Sequence, residues 1–180
     1  MNAVRFACLP LSLVACGKLG SIKVSDEATV TVPKATGLET LIGDMGFGEF
    51  AEMDLTESSE LQNQDVRPGD IQDVYMTVFE LAAVDPPGSD LSFLNSMTIS
   101  VESDGLPAQV IARAEDFPEG QAVVAFELPE VDMTEYVVSE AMTFTNEVNG
   151  SRRQEDTQVT ARFTVKVGVR GQAIFGGGED

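Results

Sequence analysis

The 180-residue chain carries 30 acidic and 11 basic side chains, a formal net charge of -19, with no His, no Trp and only two Cys. An apolar fraction of 43% with 23% charged residues is that of a chain that packs a core, which excludes a disordered, collagenous or polytopic membrane protein. The charge repels phosphate backbones and excludes nucleic acid as a partner, and the missing imidazole excludes the usual Ser or Cys triad, the His general base and the His-containing zinc site.

The chain opens with Arg5 ahead of an apolar run from Phe6 to Ala15, the order of an export signal. With Pro10 inside it, that run is too short to span a bilayer as a helix. It ends in Leu13-Val14-Ala15-Cys16-Gly17: an aliphatic residue, a permissive one, a small one, then cysteine. Here the sequence resembles the lipobox of bacterial lipoproteins, over its first 17 residues only. The resemblance implies cleavage between Ala15 and Cys16, a diacylglyceryl group on the Cys16 sulfur and acylation of the new amino terminus. Two or three acyl chains, at about 0.8 kcal/mol per buried CH2, anchor a protein stably without a spanning helix. Cys8 would leave with the signal and Cys16 would carry lipid, so the folded domain would hold no disulfide. In lipoproteins of Gram-negative bacteria an Asp after the cysteine commonly means retention at the inner membrane; Gly17 therefore implies the outer membrane. The expected organisation is a signal peptide at 1–15, lipidated cysteine and tether at 16–21, one domain at 22–170 and a flexible tail at 171–180.

Beyond the tether the dominant pattern is period-2 alternation rich in Val, Thr, Phe and Ile, broken by Gly, Pro, Asn and Asp. In chain order it predicts strands over Ala28 to Val32, Phe50 to Leu55, Val74 to Val84, Met97 to Val101, Gln109 to Ala114, Val123 to Leu128, Met142 to Val148 and Val159 to Arg170. The last is the clearest, every odd position being apolar. Val74 to Val84 is apolar on both parities, which predicts a central strand covered on both faces. Leu38 to Gly48 has no clear period, and Ser59-Glu60-Leu61-Gln62 has the spacing of a capping box for a short helix.

Turn chemistry separates the strands. Asp85-Pro86-Pro87-Gly88-Ser89-Asp90 excludes a central strand, and Asp90 is placed to cap one helical turn through Leu91, Phe93 and Leu94. Ser103 to Pro107 reads as a hairpin loop. Asn149-Gly150 reads as a tight turn that would set Glu147 opposite Arg152, or else Ser151 to Asp156 is an exposed loop. About eight strands with aperiodic spacing predict an all-β, two-sheet sandwich of Greek-key or jelly-roll type.

Three chemistries fit the residue types. Carboxylate pairs for glycoside hydrolysis are available at Glu115 with Asp116, Glu130 with Asp132 and Glu135, or Glu155 with Asp156. Against them stand the absence of Trp and the presence of only Tyr75 and Tyr136 to stack on a sugar. Calcium, which takes oxygen ligands alone, could be held by Asp85 with Asp90, or by Asp104 near Glu115 and Asp116. These acids equally suit turns. Recognition through a sheet edge or loop patch needs no marker beyond the fold, while Met53, Met76, Met97 and Met142 fall in strands and are expected in the core. No residue is expected to be catalytic and no cofactor is required. The expectation is a lipid-anchored cell-envelope protein with a structural or binding role, partnered by the membrane and by an envelope protein or ligand. A calcium-dependent adhesion or ligand-binding module is the alternative, and a carboxylate-based hydrolase the third reading.

Overall fold

Alternating β-branched residues make strands, and where their buried faces meet they make a sandwich. The structure is a computed structural model that describes residues 20–35, 40–42, 66–139 and 142–170. Its strands are β1 (Gly20–Val32), β2 (Thr40–Ile42), β3 (Ile71–Asp85), β4 (Leu94–Ser103), β5 (Leu106–Ala114), β6 (Val123–Ala125), β7 (Thr143–Ser151) and β8 (Thr157–Val169), and among the described residues there are also a 3-10 turn at Pro68–Asp70 and a short α-helix, α1 (Thr134–Val137). They form two sheets, ordered β1-β8-β3-β6 and β2-β7-β4-β5. Across the two sheets the strands pair as first with last and third with sixth in one, and second with seventh and fourth with fifth in the other. That nested pairing of one long antiparallel ribbon, folded over itself, is the jelly roll.

The core lies between the sheets. Val159, Ala161, Phe163, Val165, Val167 and Val169 of β8 are at most 2% exposed, so the odd-position alternation of this strand holds throughout. From the other sheet come Met97, Ile99 and Val101 of β4, Ile111 of β5 and Phe144 of β7, all buried. Phe79, Phe126 and Phe117 form an edge-to-face series with centroid separations of 4.8 and 6.1 Å. Met76 and Met97 are core residues as expected, while Met142 is partly buried against the core.

Strand β3 corrects the two-faced reading. Val74 and Met76 face the core, and so do Phe79 and Leu81, although their parities differ. Its pairing with β8 shifts register between Gln72 and Tyr75, between Met76 and Val78 and between Ala83 and Asp85. The middle bulge inserts one residue and flips the alternation. The opposite face is open: Val78 is 42% and Val84 45% exposed.

Asn149-Gly150 is not a turn. β7 runs through both residues, with Ser96 opposite Asn149, Leu94 opposite Gly150 and Thr98 opposite Glu147, so Glu147 does not face Arg152. The glycine is there for proximity: a Cβ on Gly150 would lie 2.5 Å from the Phe93 carbonyl oxygen. The chain reverses instead in the loop between Ser151 and Thr157. The Asp104-Gly105 hairpin is as expected, with Gly105 at φ 80° and Ser103 opposite Leu106. β1 begins at Gly20, inside the expected tether. The strand at Phe50 to Leu55, the helix at Ser59, Met53 and the tail all lie outside the described residues. β2 and α1 were not expected, being too short to show a period.

The two lateral margins of the sandwich differ. At one, β5 and the segment after β6 are joined: Arg113 N donates to Glu127 O at 2.9 Å and Glu127 N to Arg113 O at 2.8 Å. At the other, β1 pairs along its length with β8 and, among the described residues, with no other strand. On that margin Asp26, an exposed residue at an inward-pointing position, accepts the backbone N–H of Glu27 through Oδ1 at 2.8 Å. A charge pointing inward and a capped amide both oppose the addition of another strand.

Candidate binding face

The outer face of the first sheet is built from the polar positions of β1, β8 and β3, whose registers set them in cross-strand rows. Lys23 lies opposite Lys166, and Lys166 opposite Tyr75; Ser25 is opposite Thr164, and Thr164 opposite Val78. Next come Glu27, Arg162 and Glu80, then Thr29, Thr160 and Ala82. Hydroxyls bond across the strands, Ser25 Oγ with Thr164 Oγ1 at 2.9 Å and Thr29 Oγ1 with Thr160 Oγ1 at 2.7 Å. Arg162 Nε donates to Glu27 Oε2 at 3.0 Å, and its Nη1 lies 3.6 Å from Glu80 Oε1. The hydrogen bond and charge of Glu27, with Glu80 assisting, raise the Arg162 pKa. Ser25, Glu27, Val78, Glu80, Arg162 and Thr164 line a shallow depression here. Its two glutamates share one guanidinium, which leaves the row with one uncompensated negative charge and offers hydrogen-bond donors and acceptors side by side. Sequence reasoning passed over Glu27, Arg162 and Glu80 because their proximity exists only through register. The signal was the polar half of the alternation that identified β8.

The acids singled out from the sequence are dispersed. Cys16 and Ala15 lie outside the described residues. Asp104 sits at the β4–β5 hairpin, whereas Glu115 and Asp116 follow the far end of β5, about 30 Å away at roughly 3.3 Å per residue. The two halves of that expected cation site therefore stand at opposite ends of one strand. Asp85 ends β3 opposite Gln158 and precedes Pro86 through a cis peptide bond.

Asp90 is a loop clasp. Its Oδ1 accepts from Ser92 N at 3.2 Å, Ser92 Oγ at 2.7 Å and Arg153 Nη1 at 3.3 Å, and its Oδ2 from Gly120 N at 2.8 Å. The turn it holds, with Leu94 N donating to Leu91 O at 2.9 Å, is not a helix. The Gly120 amide first, then the Ser92 hydroxyl and the Arg153 charge, lower the Asp90 pKa. Both oxygens serve the fold, which ties three loops together.

The remaining carboxylates behave similarly. Asp132 Oδ1 accepts from Thr134 N at 2.9 Å at the start of α1, and Asp156 Oδ1 accepts from Lys34 N at 2.8 Å. Arg113 holds Glu127 through two bonds of 3.0 Å and lowers its pKa. The charge of Asp132, with partial burial, Asp73 and Glu130, raises the pKa of Tyr75. Among the described residues no group of three or more Asp or Glu side chains is arranged to hold a metal ion, and no helix is long and apolar enough to cross a membrane.

No protein-family model and no curated protein matches the chain. Among solved structures it is similar to the decameric BFDV capsid protein, at 9% identity and a TM-score of 0.44, covering 85% of this chain and 99% of that one.

Proposed function

We propose that this chain is a lipid-anchored protein of the bacterial cell envelope, held in the outer membrane through Cys16, with its acidic jelly roll in a structural or binding role without catalysis. The observation that carries the reading is the Leu13-Val14-Ala15-Cys16 run set directly before the fold. Only Gly17, Lys18 and Leu19 separate Cys16 from β1, a span of at most about 14 Å. The domain would be held against its membrane, its partners being the lipid surface and an envelope protein or ligand.

Fractionation of bacteria expressing wild type and Cys16→Ser tests this. Wild type should be processed, sediment with membranes and carry a diacylglyceryl mass on Cys16, whereas the variant should do none of these. A variant still membrane-bound and cut at the same place overturns it.

A further inference from the structure

The described cations differ in their partners. Arg113, Arg153 and Arg162 are each paired with a carboxylate. Lys23, Lys34, Lys166, Arg67 and Arg170 enter none of these ion pairs; Lys34 follows the far end of β1, and the other four lie at the corner of the first sheet where β1 begins. Gly20 pairs with Val169, Arg170 N donates to Asp70 O at 2.9 Å, and Asp70 N donates to Arg67 O at 2.8 Å. Lys23 and Lys166 are exposed, and directly opposite each other on neighbouring strands. Like charges so placed repel and destabilise a sheet, in a chain with 30 carboxylates available to relieve them. Asp73, Glu130 and Asp132 do approach, but around Tyr75, on the far side of Lys166 from Lys23.

We infer that the Lys23–Lys166 pair, with Arg170 beside it, is a contact site for the phosphate headgroups of the membrane to which the chain is tethered, and lays the outer face of the first sheet at this corner against the lipid. The inference rests on the anchor proposed above. Lys23 is three residues into β1, about 10 Å from its start, so the tether can bring it to the surface. Over most of the rest of the domain the charge is negative and is pushed away from anionic lipid. Screening limits the attraction to about 8 Å at physiological salt, so the corner must touch the headgroups to benefit.

The test uses the lipidated full chain, extracted from cells and reconstituted in vesicles of phosphatidylcholine alone or with about one-third phosphatidylglycerol. Amine acetylation is followed residue by residue by mass spectrometry. Lys23 and Lys166 should label about fivefold more slowly on the anionic vesicles, with the difference lost in high salt. Lys34, whose amide is bonded to Asp156 at the opposite end of β1, should label equally on both. Equal labelling of Lys23 and Lys166 on the two vesicles overturns the headgroup site. To separate this from a failure of the anchor, the full chain carrying Cys8→Ser is also coupled through the Cys16 thiol to a maleimide lipid in the same vesicles. An unmodified Cys16 in cells defeats the anchor alone, and the coupled chain still reports on the lysines.

Discussion

Strand β8 has two neighbours, and they treat it differently. On one flank β1 matches it from Gly20↔Val169 to Val32↔Thr157 without a break. On the other, β3 slips register three times. The regular flank leaves a straight margin that needs guarding, by Asp26. The irregular flank re-aims side chains, bringing Phe79 and Leu81 to the core and Val78 and Glu80 to the outer face. A bulge thus lets one strand serve a core and a surface that strict alternation could not both satisfy.

The largest expected way to break this contrast is Phe79→Ala, just after the middle bulge. Phe79 is 2% exposed and packs on Phe126, so its loss should cost about 3–5 kcal/mol in urea unfolding. Asp90→Ala, which frees the loop leaving β3, should cost about 2 kcal/mol, since several bonds go to one charged group. Because the native Asp90 pKa lies below its ordinary value, its contribution is complete above the unfolded pKa of about 3.9 and is lost as pH falls through the lower native one. Wild type and variant stabilities should therefore converge in strong acid. Gly168→Ala sets a methyl 2.6 Å from the Gln72 carbonyl oxygen and should cost about 1–3 kcal/mol. The contact is to the irregular flank alone.

On the regular flank, Asp26→Val removes the guard with little change in stability. Sedimentation should then show concentration-dependent self-association through β1, and a strictly monomeric variant would refute the guarding role. The smallest effect is at Arg162, which spans both flanks. Double-mutant cycles should give it a coupling to Glu27 near the limit of detection and a weaker one to Glu80, both shrinking with salt.

Legibility in the sequence followed the same divide. β8 could be read because period 2 survives from Val159 to Val169. β3 reads as covered on both faces because a bulge and a two-faced core strand leave the same apolar pattern. Asn149-Gly150 has the composition of a turn, yet the glycine answers to the Phe93 backbone, which no local pattern encodes. The jelly-roll order needed pairings between strands far apart in the chain. Asp104 and Glu115 are near in sequence because only β5 separates them, but an extended strand is the longest path a few residues can make. The Glu27, Arg162 and Glu80 row is the converse, remote in sequence and adjacent in space.

The nested pairing also sets an order of events. β1 emerges from the ribosome first, yet its partner β8 lies more than a hundred residues later. Contacts of such separation make for slow folding, because the long loop must close before any pairing is gained. Until β8 has been synthesised, the first sheet lacks the strand that joins β1 to β3. A nascent chain in that state has no closed first sheet, and under the export proposed above it would cross its membrane unfolded and close that sheet on the far side.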